Sequence, residues 1–190
     1  MAKLVYVMNT SLDGYTEDKQ GRFDWGLDGD KELHAEICEL VSYFGTCLYG
    51  RKMYDKMVYW ETSHTLPDQS QYLLDFARKW QAAEKIVYSK TLAEPRSART
   101  TIERSFDPDA VRRLKANAGP DIEIEGPELA AQAIHAGLVD EFLMIVHPVV
   151  VGGVKRFFPN GAHLDLELVE QRQLPKGVIV LRYAIRVPSK

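Results

Sequence analysis

The sequence predicts a single α/β domain, residues 1–190, with a mostly parallel central sheet and an antiparallel hairpin at its carboxyl end. Three observations predict it. Short apolar runs alternate with amphipathic stretches along the chain. Two of those runs pass through a glycine straight into a helix start, and a third ends on a serine. The last two, Leu164 to Gln173 and Val178 to Val187, are separated only by Leu174-Pro175-Lys176-Gly177, a hairpin connection.

Taken in order, Lys3 to Met8 reads as a buried strand, and Asn9 to Gly29 as a polar loop with four glycines. Asp30 is a good N-cap for a helix reaching Tyr43, with Leu33, Ile37, Leu40 and Val41 on one face. Thr46 to Tyr49 is a strand, and Arg51 to Trp60 a short helix. Gln69 to Trp80 is another helix, whose Tyr72, Leu73, Phe76 and Trp80 share a side. Strands follow at Lys85 to Tyr88 and Arg99 to Glu103, then a helix from Pro108 to Asn117 with Asp107 as its cap. Ile122 and Ile124 alternate with Glu123 and Glu125 as in a short strand. Gly126-Pro127 then starts a helix to Ala136 that Gly137 terminates, and Phe142 to His147 is the next strand.

Composition removes several function classes. The 24 basic and 27 acidic residues leave a net charge of -3, so nucleic acid is not an expected partner. Cys38 and Cys47 form neither a C-x-x-C pair nor a zinc spacing; buried thiols and no metal are expected. The apolar run Leu4 to Met8 is too short for a signal peptide, and no uninterrupted apolar segment is long enough to span a bilayer. A cytoplasmic setting with no membrane partner is expected. His34-Ala35-Glu36 matches the first half of a deaminase zinc motif but lacks its P-C-x-x-C partner, and His34 reads as a surface residue. His147-Pro148 reads as a strand terminator.

The three strand-to-helix corners carry the chemistry. Gly126-Pro127-Glu128-Leu129 puts free amides and a helix's positive end where a pyrophosphate can dock. Glu128 would repel phosphates unless it points to solvent. Gly50-Arg51-Lys52-Met53 delivers two cations to a helix start, and Ser89-Lys90 places a hydroxyl and an ammonium at a strand end. In a parallel sheet such corners share one edge, so Arg51, Lys52, Ser89 and Lys90 converge there. A planar arginine fork beside a neutral donor suits a phosphate monoester. Val151-Gly152-Gly153-Val154-Lys155-Arg156 is a second candidate phosphate loop. The small-molecule substrate is sought at the loop from Asn9 to Asp28. Asn9, Asp24 and the aromatic plate Trp25 are its candidate contacts, and Asp13 the candidate catalytic carboxylate. A plain turn at Asp13-Gly14 and a loop anchor at Asp24-Trp25 stay open as the alternative.

Ser11-Leu12-Asp13-Gly14, Gly50-Arg51-Lys52-Met53-Tyr54, Ser89-Lys90-Thr91-Leu92, and GPELAAQAIHAGLVDE (126–141) followed by PVVVGGVKRFF (148–158) together resemble the dihydrofolate-reductase-like superfamily. Within it, the chain is similar to the reductase domain of bacterial riboflavin-biosynthesis deaminase-reductases and their stand-alone relatives. The resemblance implies a three-layer fold, NADPH as cofactor, and a homodimer formed through the sheet edge. It implies hydride transfer from nicotinamide C4 to an electron-poor carbon of a pterin or aminopyrimidine, as in a 5-amino-6-(5-phosphoribosylamino)uracil reductase. It assigns Arg51, Lys52 and Met53 to the adenosine phosphates, Ser89 and Lys90 to the 2′-phosphate, Gly126 to Leu129 to the pyrophosphate, and Gly152 and Gly153 to the cofactor cleft. Asp13 becomes a loop organiser. Two departures stand out. Pro127 replaces a second glycine found in many stand-alone relatives. Met53 and Met57 stand where riboflavin reductases carry a threonine and an aspartate, so the polar handle for a ribosylaminopyrimidine is missing. The alternative is a non-catalytic NADP-binding module, which would lack a substrate pocket beside the nicotinamide.

Overall fold

In the computed structural model, which describes residues 1–23, 30–117 and 119–186, the elements follow the predicted alternation. In chain order they are β1 (Leu4–Ser11), β2 (Tyr15–Glu17), α1 (Lys31–Val41), β3 (Thr46–Gly50), α2 (Arg51–Met57), α3 (Gln71–Ala82), β4 (Glu84–Tyr88) and β5 (Thr100–Glu103). Then come α4 (Pro108–Asn117), β6 (Ile122–Glu125), α5 (Pro127–His135), β7 (Glu141–His147), β8 (Lys155–Arg156), β9 (Leu166–Gln173) and β10 (Ile179–Ile185).

Eight strands form one sheet in the order β5-β4-β3-β6-β1-β7-β10-β9. The six from β5 to β7 run parallel, and β10 and β9 complete the sheet as the expected antiparallel pair. A small antiparallel pairing of β2 with β8 makes a second sheet that the sequence reading took for loop. Strands of three and two residues are too short to show an alternation.

Helices cover both faces. On one, Leu4, Tyr6, Leu48, Ile122, Ile124 and Phe142 pack with Val111 of α4 and Leu129, Ala130, Ala133 and Ile134 of α5. On the other, Val5, Val7, Leu143 and Ile145 meet Leu33 and Ile37 of α1, while Cys47, Tyr49 and Val87 meet Phe76, Ala77 and Trp80 of α3. Parallel strands are stable only when covered in this way, and each fully buried aliphatic side chain contributes roughly 1.5–3 kcal/mol. The two cysteines are free and buried.

Helix ends obey their local chemistry. Asp30 Oδ1 accepts from the Leu33 amide at 2.9 Å, and Asp107 Oδ1 from the Asp109 amide at 2.9 Å. The helix expected over Arg51 to Trp60 ends at Met57, and the chain tightens into a 3-10 turn over Val58–Glu61. Among the described residues no helix is long and apolar enough to cross a membrane.

Candidate active site

Because β4, β3 and β6 are parallel neighbours, the three corners meet on one edge of the sheet. Gly50 precedes α2 and Gly126 precedes α5, and no side chain caps either helix start. Gly126 has φ 99° and ψ 123°, a region that essentially only glycine enters without strain. Pro127 takes the first helical position, where a missing amide costs nothing in helix bonding. The amides of Glu128 and Leu129 follow at the positive end of α5.

A cavity of about 300 Å³ opens above this edge. Gly50, Arg51, Lys52 and Met53 line it from one corner, Tyr88 from the end of β4, and Gly126 to Leu129 from the third corner. Lys155 lines it as well and pairs with Glu17 at 3.4 Å and Glu128 at 3.2 Å. Burial alone would lower the Lys155 ammonium, but these two carboxylates hold it above its ordinary range, so it stays charged. The Glu128 side chain is 79% exposed, yet it lines the cavity and its carboxylate faces Lys155. Arg51 is held by Asp55, whose other oxygen takes Arg96.

A second cavity of about 300 Å³ adjoins the first. Met8, Phe23 and Met53 line both. Its remaining wall is mostly apolar, with Met57, Tyr59, Trp60 and Phe76, and its polar groups are Asn9, His34, Lys56 and Glu125. Glu125 ends β6 and is only 9% exposed; Glu123, on the same face, is 3% exposed. Burial pushes the Glu125 carboxyl well above the carboxylate range, and the neighbouring Glu123 charge pushes it further. A protonated carboxyl is a donor as well as an acceptor. Asn9 Oδ1 lies 2.8 Å from His147 Nε2. Burial lowers the His147 pKa to about 4, so the ring is neutral, and with an amide oxygen accepting, the proton sits on Nε2. His147 is therefore more than a strand end: it fixes the Asn9 side chain at the cavity wall.

The other expected residues fall into place unevenly. Gly50, Arg51, Lys52, Met53, Gly126, Pro127, Glu128 and Leu129 all line the first cavity, and Asn9 lines the second. Asp13 lines neither: its carboxylate accepts from the Val151 and Gly152 amides at 3.2 and 2.9 Å, and hydrogen bonding lowers its pKa. It ties the β1–β2 turn to the glycine loop. Ser89 and Lys90 follow Tyr88 on the same edge but do not line the first cavity. Ser89 Oγ accepts from the Thr91 and Leu92 amides at 3.3 and 3.0 Å, which leaves only its hydrogen to offer a ligand. Gly153 is required by packing, since a β-carbon there would fall 1.9 Å from the Glu17 carbonyl oxygen; Gly152 serves Asp13. Asp24 and Trp25 lie outside the described residues. His34 is not a surface residue: it lines the second cavity, with its ring 6.0 Å from those of Trp60 and Tyr72. Sequence reasoning missed Glu125 and His34 as cavity residues, while Lys155 lay within its second candidate phosphate loop. The position of Glu125 at a strand's carboxyl end, one residue before Gly126, was the available signal.

The chain matches the RibD C-terminal domain family over residues 2–180. It is 30% identical over 183 residues to the uncharacterised protein YyaP of Bacillus subtilis strain 168, covering 95% of this chain and 94% of that one. The crystal structure of a Shewanella sp. PV-4 protein superposes with a TM-score of 0.70 at 18% identity, covering 98% of this chain and 100% of the other. The diaminohydroxyphosphoribosylaminopyrimidine deaminase/5-amino-6-(5-phosphoribosylamino)uracil reductase of Thermotoga maritima superposes with a TM-score of 0.65 at 12% identity, covering 97% of this chain and 57% of that one.

Proposed function

Since the chain belongs to the RibD C-terminal domain family, a family of reductase domains on the dihydrofolate-reductase-like fold, we propose that it is an NADPH-dependent oxidoreductase acting on a small heterocycle of the pterin or aminopyrimidine class. The observation that carries this reading is the wall of Met8, Phe23 and Met53, shared by a cationic cavity and an aromatic one. Two ligands seated on either side would meet over apolar side chains that keep water from the reacting atoms.

The first cavity fits a phosphorylated dinucleotide. The φ of Gly126 brings the backbone close, the Glu128 and Leu129 amides offer donors, and Arg51 and Lys52 offset phosphate charge. When bound, the cofactor supplies hydride from nicotinamide C4. Asn9 and Glu125 orient the substrate's polar edge, with the Glu125 carboxyl holding a proton at its oxygen. The Thermotoga maritima protein is a reductase of a phosphoribosylaminouracil. Here Met53 and Met57 line the substrate cavity and offer no polar handle for a ribose. The second cavity also favours the reductase over a module that only binds nucleotide. Leu168 and Val169, 48% and 53% exposed on the outermost strand β9, support a homodimer through that edge.

Calorimetric titration with NADPH and NADH, followed by loss of reduced-coenzyme absorbance with pterins, aminopyrimidines and quinones, tests the proposal. Preferential NADPH binding with turnover of one such ring is expected. No complex with NADPH overturns the assignment, and binding without any turnover returns it to the nucleotide-binding module.

A further inference from the structure

The two cavities differ in lining. Arg51, Lys52 and Lys155 line the first, with the Glu17 and Glu128 carboxylates paired to Lys155. In the second, Lys56 is the one lysine or arginine on the wall among the described residues, and its ammonium sits 5.2 Å from the centre of the Phe23 ring. His34 adds no cation, because burial lowers its pKa. A phosphate entering this space would exchange its hydration shell for methionine and aromatic side chains. An uncharged flat ring gives up far less hydration and gains aromatic contact from Trp60, Tyr59 and Phe76.

His34 supplies the second part of the argument. It projects from α1, whose Leu33 and Ile37 pack on the sheet, and its ring stands beside Trp60 and Tyr72. Neither ring nitrogen has a hydrogen-bond partner among the described residues. Polar groups thus reach the cavity from several elements: Asn9 from β1 and Glu125 from β6 on the sheet, His34 from α1 and Lys56 from α2. A neutral imidazole offers one donor and one acceptor, which suits the mixed edge of a nitrogen heterocycle.

Building on the reductase reading, we propose that the second cavity takes an uncharged, unphosphorylated flat heteroaromatic ring. Asn9 and Glu125 read one edge of that ring, and His34 is a specificity-determining residue that reads another. A phosphoryl group on the substrate is selected against. Neopterin and neopterin monophosphate differ only in that group, and they make the test.

Full-length protein is titrated calorimetrically with each compound at neutral pH, alone and with saturating NADP+. Neopterin should bind at least about tenfold more tightly than its monophosphate, a gap of about 1.4 kcal/mol. His34→Ala should weaken neopterin about fivefold or more without changing NADPH affinity, and His34→Gln should recover part of the loss; circular dichroism checks that both variants fold. Equal or tighter binding of the monophosphate overturns the proposal, as does an unchanged neopterin affinity in His34→Ala. Binding of NADPH but of neither pterin sinks this inference and leaves the cofactor reading standing. Binding of neopterin without NADPH does the reverse.

Discussion

A β-carbon on Gly126 would lie 4.0 Å from the backbone nitrogen of Gly50, so the corners after β6 and β3 stand side by side at the floor of the first cavity. Gly126→Ala should therefore act mainly through the backbone, since φ 99° is closed to alanine at a cost of about 1–3 kcal/mol. The expected result is a lower thermal midpoint together with weakened NADPH binding by calorimetry. An unchanged NADPH affinity would separate this corner from the phosphates.

Arg51 is predicted to separate the two nicotinamide coenzymes. Its guanidinium is held by Asp55 at the cavity wall, where it can receive a phosphate monoester. Arg51→Ala should weaken NADPH more than NADH, by about 1–3 kcal/mol for a lost charge-assisted contact. Equal losses for both coenzymes would show that Arg51 does not read the 2′-phosphate.

Glu125 predicts a pH dependence of stability. The unfolded chain loses this proton near the ordinary value of 4.5, whereas the folded protein keeps it to a well higher pH. Stability is thus fully present below 4.5 and declines as pH rises above it, until the raised folded value is passed. Glu125→Gln keeps the side chain's shape without the titration. Its thermal midpoint should fall less steeply than the parent's from about pH 5 to about pH 8, while Glu123 keeps its own share of the slope. Parallel curves for the two proteins would mean that Glu125 is ionised in the fold.

Gly153 tests packing at the small β2–β8 sheet. With a β-carbon 1.9 Å from the Glu17 carbonyl oxygen, Gly153→Ala must push the two strands apart. A destabilisation of about 1–3 kcal/mol in urea unfolding is expected, of the size seen for overpacking. Lys155 sits two residues on and pairs with Glu17, so NADPH affinity should fall as well. Unaltered stability would show that the loop relaxes freely.

The parallel sheet, the hairpin and the meeting of the Gly50 and Gly126 corners were legible in the sequence because each rests on a local signal, an apolar run broken by a glycine or a proline; the Ser89 corner runs into a loop and not a helix. The Glu123–Glu125 alternation was legible as a strand but not as a buried one. That depends on β6 lying between β3 and β1 with α1 and α3 over the glutamate face, which no local pattern encodes. Ser89 and Asp13 show the opposite failure. Both were correctly seen at strand ends, yet short polar side chains there bond readily to nearby backbone amides, and the distances show that they do. His34 was misplaced because helical periodicity marks the face toward the sheet, while the cavity opens at that face's flank.

β1 and β3 do not pair; β6, formed by residues 122–125, is the strand that joins them. A chain emerging during synthesis can therefore join β1 to β3 only after residues 122–125 are made, and the floor of the first cavity appears in that same event. No early fragment should capture coenzyme, and folding should be slow for a domain of this size because its decisive pairings are distant in sequence. By mass action, a coenzyme at a hundred times its dissociation constant would then raise the unfolding free energy of the entire domain by about 2.7 kcal/mol, rather than that of one lobe.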